Sequence, residues 1–168
     1  MATNLHFIKS ELIESSVSTV SVTDVFSGNF DVYKIVATIT CATGDGNGSL
    51  QFIDASGNVE TGSNYDWAML IMRNDSGFYD YKDTGQTTMT ALFNGTETGS
   101  ANTIYVYNPF NSSAYTFTQS QTVGESGSNL RGYKGIGIHE LAESMTGFKL
   151  TFDVNATSGE ISVYGVNG

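Results

Sequence analysis

Ten consecutive residues, Val32-Tyr33-Lys34-Ile35-Val36-Ala37-Thr38-Ile39-Thr40-Cys41, put apolar side chains at the odd positions and gather Lys34, Thr38 and Thr40 on the even face. Successive side chains of a β-strand point to opposite sides, so this period of two predicts a strand laid over a core. A helix would scatter the same residues around its circumference. The pattern recurs near the end of the chain. There Phe148, Leu150, Phe152 and Val154 alternate with Lys149, Thr151 and Asp153, and Ile161 and Val163 alternate with Ser162 and Tyr164. Further strands are expected over residues 17–26, from Leu50 onward, and over 65–72, 87–93, 103–107, 115–121 and 132–139. Segment 65–72 is apolar on both faces, with Trp67, Met69 and Ile71 against Ala68, Leu70 and Met72. That predicts either a strand buried on both sides or one whose second face meets a neighbouring subunit.

Turns separate these runs. Nineteen glycines and a single proline in 168 residues suit many tight connections. Gly44-Asp45-Gly46-Asn47-Gly48 reads as a flexible loop, and Asp54-Ala55-Ser56-Gly57-Asn58 and Asn74-Asp75-Ser76-Gly77 as turns. Ser158-Gly159 reads as a hairpin turn that sets the last strand beside 148–154. The segment carrying Asp75, Asp80 and Asp83 reads as solvated. The expected fold is all-β, an antiparallel β-sandwich of jelly-roll type with about 8–10 strands. Residues 17–168 form one domain, and 1–16 form an N-terminal arm or edge strand, because Phe7, Ile8, Leu12 and Ile13 suit a helical face, an arm or a first strand.

Seventeen acidic residues against seven basic ones give a net charge of −10. Nucleic-acid binders gather basic residues on one face, so no nucleic-acid partner is expected. Anionic membranes are disfavoured for the same reason. No run reaches the roughly 20 apolar residues that span a bilayer, and no secretory signal is evident, so synthesis in a cytoplasm is expected. The single cysteine, Cys41, lies on an apolar strand face and reads as a buried thiol.

No residue pattern specifies chemistry. His6 and His139 are the two histidines. His139 is followed by Glu140 and Glu143, but a metal site would need a third or fourth ligand, and neither HExxH nor paired cysteines occur. The stretch Asp45–Ser49 resembles the opening of a calcium loop, yet Leu50 stands where the loop needs glycine and Ser56 where it needs glutamate. No G-x-S-x-G elbow is present, and the glycine-rich stretches do not lead from strand into helix. The expectation is therefore no catalytic, cofactor-binding or metal residue, no cofactor, and no enzymatic activity. Trp67, Tyr65, Tyr79, Tyr81, Tyr105, Tyr107 and Tyr133 read as core or interface packing, with a sugar-stacking platform as the alternative. Tyr79 and Tyr81 are the best candidates for exposure.

Three segments carry a family resemblance. Ser21–Phe26 runs into Phe30-Asp31-Val32-Tyr33-Lys34-Ile35-Val36; Ser63-Asn64-Tyr65-Asp66-Trp67-Ala68 follows; and Thr146-Gly147-Phe148 precedes Ser158-Gly159-Glu160-Ile161-Ser162-Val163-Tyr164-Gly165-Val166. Together they resemble a family of virion proteins of tailed bacteriophages, especially marine and cyanobacterial phages. The resemblance spans about residues 20 to 166. It implies a jelly-roll sandwich on the virion exterior, as a head decoration (cement) protein or in a tail fibre, and supplies no catalytic residue. No shaft or tail-attachment domain is evident, which favours decoration. The expected partner is the major capsid protein, bound by a homo-oligomer, a trimer at three-fold or quasi-three-fold positions, with the arm from Ala2 to Ser16 ordering on the shell or clasping a neighbouring subunit. The rival expectations are a tail-fibre or receptor-binding domain for host surface glycan, and a carbohydrate-binding module.

Overall fold

The computed structural model describes residues 4–167, and among them every regular element is a β-strand. In chain order the strands are β1 (Leu5–Ile13), β2 (Val17–Val22), β3 (Val32–Cys41), β4 (Asp45–Asp54), β5 (Tyr65–Arg73) and β6 (Gly77–Gln86). They continue with β7 (Met89–Thr96), β8 (Ser100–Tyr107), β9 (Thr116–Ser126), β10 (Asn129–His139) and β11 (Met145–Val166). The fold is an antiparallel β-sandwich of jelly-roll type. Its larger layer runs β1–β11–β3–β8–β9–β10–β5–β6 through antiparallel ladders. The smaller runs β2–β11–β4–β7. β7 lies across β9, β10 and β5 without a ladder to any of them, so the two layers meet there face to face.

β11 belongs to both layers. Its first half pairs β2 and β4, and its second half pairs β1 and β3. The change of partners falls at Ala156, which faces both Val17 and Cys41 and sits at register shifts in both ladders. Such irregularities let one strand turn a sandwich corner. The expected hairpin turn at Ser158-Gly159 is thus absent. Gly159 instead allows close approach, since a Cβ there would strike the Thr38 carbonyl oxygen.

Two further expectations are corrected in the same way. Gly44–Gly48 is not a free loop, because Asp45–Asp54 is a paired strand. A Cβ on Gly48 would overlap the Phe93 ring, and one on Gly46 would crowd the Cys41 sulfur. These glycines serve packing between neighbours rather than chain reversal. The segment around Asp80 and Asp83 is a strand, β6, solvated along its whole length. With β6 added and the first segment also paired, the described residues hold 11 strands. Of the segment 1–16, Leu5–Ile13 is an edge strand, with β1 pairing β11 and Ile13 buried in the core, while residues 1–3 lie outside the described residues.

The core joins the odd face of β3 to Leu50 and Phe52 of β4, Leu92 and Phe93 of β7, and Phe148, Leu150 and Phe152 of β11. Cys41 is buried among them. Phe26 and Phe30 bracket Tyr33, with ring centroids 4.9 and 5.8 Å away. The Tyr33 hydroxyl donates to the Ser27 carbonyl at 2.8 Å and accepts from the Ser27 amide at 2.8 Å. The bend entering β3 is therefore pinned to that strand's own side chain.

One part of the interior is polar. The inner face of β9 is Thr116, Thr118, Ser120 and Thr122, all buried. Next to it, Asn102 is 2 % exposed and its side chain is fully used. Its Oδ1 accepts from the Asn94 amide at 2.8 Å and from the Thr122 hydroxyl at 2.9 Å, and its Nδ2 donates to the Asn94 carbonyl at 3.0 Å. One amide thus ties β7 to β8 and β9.

Two substitutions test this packing. Gly48→Ala should lower unfolding free energy by about 1–3 kcal/mol, the usual range for overpacking. Asn102→Ala strands the buried Asn94 amide and Thr122 hydroxyl, while the Asn94 carbonyl keeps the Ser100 hydroxyl, and should cost about 2–3 kcal/mol. Denaturant melts check both, and a loss below about 0.5 kcal/mol in either would contradict the packing described.

Candidate functional site: an apolar sheet face and a histidine–carboxylate cluster

The outer face of the larger layer is set by strand parity. Along β9, Thr116, Thr118, Ser120 and Thr122 point inward, so Phe117, Gln119, Gln121 and Val123 point out. Ladder register then fixes their neighbours. Phe117 lies between Tyr107 and Ile138, and Gln119 between Tyr105 and Ile136. Ile136 faces Ala68, and Lys134 faces Leu70. Phe117, Val123, Ile136, Leu70 and Leu130 all expose 40 % or more of their surface. This explains the doubly apolar β5: its inner residues approach the core, and its outer ones belong to an uncovered face.

A groove of about 740 Å³ runs along this face, bordered by Asp66, Lys82, Asp83, Tyr107, Phe117 and Ile136. Tyr105 and Tyr107 lie nearly parallel, 6.5 Å apart, and the Lys34 ammonium stands 5.7 Å from the Tyr105 ring. Lys34, Lys82 and Lys134 share this face through their pairing with Tyr105, Ala68 and Leu70. Its chemistry is broad, apolar and aromatic with a charged margin, which suits a binding surface.

The seven aromatics singled out in the sequence do not form one platform. Tyr65 and Tyr133 are buried, and Trp67 packs against the core. Tyr105 and Tyr107 lie on the outer face. Tyr79 and Tyr81 are exposed on β6 but pair with Ile71 and Met69, on the opposite side of the sheet. Leu70 lies on the second apolar face expected of segment 65–72, but nothing in the sequence marks Phe117 or Ile136, because an apolar residue on a strand reads as core until the second layer's width is known.

A second grouping lies at one end of the sandwich. His139 closes β10, flanked by Tyr65 of β5 and Thr116 of β9. Its imidazole is fully buried, 4.7 Å from the Tyr65 ring and 5.8 Å from that of Phe52. Neither ring nitrogen has a hydrogen-bond partner. Glu60, from the β4–β5 connection, brings a carboxylate oxygen to 3.8 Å from Nε2. Glu143, from the β10–β11 connection, completes a group whose ligand atoms all lie within 4.8 Å of one another.

Backbone contacts hold these connections in place. The Glu60 amide donates to the Phe52 carbonyl at 2.8 Å, the Tyr65 hydroxyl to the Glu60 carbonyl at 3.1 Å, and the Glu140 amide to the Asn64 carbonyl at 2.8 Å. Burial holds the His139 imidazole down at about 4, so it is neutral at pH 7. Burial raises the Glu143 carboxyl, and the charges of Glu60 and Asp54 add to that. Burial also pushes the Tyr65 hydroxyl up.

Sequence spacing set a metal aside for want of ligands around His139. Glu143 is near His139 in sequence, Glu140 is exposed, and Glu60 is distant along the chain. Among 17 acidic residues nothing local marks Glu60; only the fold brings it in. The stretch Asp45–Ser49 is strand, and Asp45 is ion-paired with Arg131.

No family model and no curated protein matches the chain. Among solved structures it is similar to a tetrameric galectin from Cinachyrella sp., a ball sponge, at 10 % identity and a TM-score of 0.38, covering 89 % of this chain and 99 % of that one. It is similar to alginate lyase Aly36B at 11 % identity and a TM-score of 0.32, covering 90 % of this chain and 79 % of the lyase. Sheep galectin-11 gives 11 % identity and a TM-score of 0.31, with 88 % and 97 % covered.

Ile136 exposes 59 % of its surface on this face and is absent from the buried core. Ile136→Lys should change unfolding free energy by no more than about 0.5 kcal/mol, as for other surface changes. A loss above about 2 kcal/mol would show that Ile136 is packed in the folded chain.

Proposed function

We propose that this chain is a virion structural protein of a tailed phage, a head decoration protein that binds the assembled capsid shell and acts by binding without making or breaking bonds. The observation that carries the reading is the outer face of the larger layer. Phe117, Val123, Ile136, Leu70 and Leu130 are exposed together on rigid, doubly laddered strands. A contiguous apolar face of this kind is costly in water and is relieved by a protein partner. The family resemblance supplies the partner, the major capsid protein, and the location, the capsid exterior after synthesis in the bacterial host. Binding the assembled lattice alone would stabilise it by mass action, and a trimer of such chains at three-fold positions would add weak contacts through multivalency.

The groove beside Tyr107 and Phe117 favours a second reading, a receptor-binding or carbohydrate-binding domain. Its aromatic floor and its margin of Asp66, Lys82 and Asp83 are the pairing of stacking and polar groups that sugars require.

Co-sedimentation with undecorated capsids separates the two. The decoration reading expects hundreds of copies per particle and at least a tenfold loss of binding in Ile136→Lys, which retains the fold. Copies in the tens, with specific signals on a glycan array that the same substitution removes, would replace it with the second reading.

A further inference from the structure

We infer that Glu60, His139 and Glu143 form a binding site for a divalent metal ion of the zinc class, which clasps the β4–β5 and β10–β11 connections at one end of the sandwich. The inference stands on the imidazole. A buried polar side chain nearly always has a partner, because burial without one forfeits the hydrogen bonds that water would give. His139 is 0 % exposed, and both of its nitrogens are unpartnered. It nevertheless points at two carboxylates, with Nε2 3.8 Å from a Glu60 oxygen. That separation is too long for a hydrogen bond and leaves room for an ion between them.

The remaining geometry agrees. Ligand atoms about 2.0–2.2 Å from zinc stand about 3.3 Å apart in a tetrahedron. The three groups here lie within 4.8 Å of one another, so small side-chain rotations of the carboxylates close the site. Both glutamates are only partly buried, which gives an ion a route in from solvent, while the histidine forms the floor. One neutral imidazole and two carboxylates suit zinc and similar first-row ions better than calcium, which takes oxygen ligands. Three protein ligands leave a fourth position for water.

A metal-bound imidazole needs an acceptor for its other N–H. Thr116 stands directly across the strand pair from His139, and its hydroxyl is likewise buried and unpartnered. Side chains so opposed lie about 5 Å apart, which makes Thr116 the residue placed to accept a hydrogen bond from that N–H. A single ion thus accounts for the orphaned ring and for the meeting of two acidic side chains beside it. The inference does not depend on the docking role proposed above.

The test uses the full chain, stripped with chelator and then equilibrated with zinc chloride. The expected result is one zinc retained per chain and a melting temperature raised by about 5–10 °C at zinc concentrations a hundredfold above Kd. Glu60→Gln and Glu143→Gln, at partly exposed positions, should each weaken zinc affinity at least tenfold while melting within a few degrees of the zinc-free parent. Calcium at the same concentration should give the smaller shift. Absence of bound zinc overturns the site, as does an undiminished shift in the Glu60→Gln/Glu143→Gln double variant. A larger shift with calcium overturns the metal class.

Discussion

The partner change along β11 is the constraint on which the rest of the sandwich depends. In most sandwiches the layers are held by side-chain packing and by connections outside the sheets. Here one uninterrupted strand is a central member of both layers, hydrogen-bonded on each side in each. The layers therefore cannot slide without breaking ladders. The core residues on β11, from Phe148 to Phe152 and then Ile161 and Val163, are delivered in fixed register to opposite walls. Ala156 at the corner is fully buried, where a larger side chain would hold the walls apart.

How much of this was legible follows from what glycine and polar residues can mean. The strands with clean alternation, such as β3 and both halves of β11, were readable because one face is core and the other is not. Gly46, Gly48 and Gly159 misled because glycine marks both reversal and close approach, and only a neighbour such as the Phe93 ring or the Thr38 carbonyl distinguishes them. β6 was missed because the aromatics of Gly77–Gln86 (Phe78, Tyr79 and Tyr81) do not alternate with polar residues along its length and it buries no core residue, while its one ladder to β5 is a property of the backbone. β9 was visible as a strand, but its buried side cannot be told from its exposed side. Hydroxyls occupy the interior while Phe117 and Val123 face solvent, an inversion of the usual pattern.

That inversion links the fold to both sites. Packing the inner face of β9 with Thr and Ser lets β7 come close. Gly135 and Gly137 of β10 help, since a Cβ on either would press on Ser120 or on Met89 and Thr118. A thin, hydroxyl-lined interior needs its polar groups paired, and near one end Asn102 does this for the Asn94 backbone and the Thr122 hydroxyl, while the Asn94 amide side chain and the Ser120 hydroxyl have no partner among the described residues. Near the other, Thr116 and His139 remain unpaired within the chain. The same parity sends the strand's apolar residues Phe117 and Val123 outward, where they build the exposed apolar face. Site residues were illegible in sequence for the same reason: Phe117 and Ile136 look like core, and Glu60 looks like any surface acid.

β6 is attached through a single ladder, and every side chain from Phe78 to Gly85 is exposed. A strand held so lightly makes the margin of the broad face pliant while its middle stays stiff. Charged residues Asp80, Lys82 and Asp83 along that margin discourage another sheet from annealing to it. The molecule thus has a yielding lip beside a hard palm, its charges set against open-ended sheet growth.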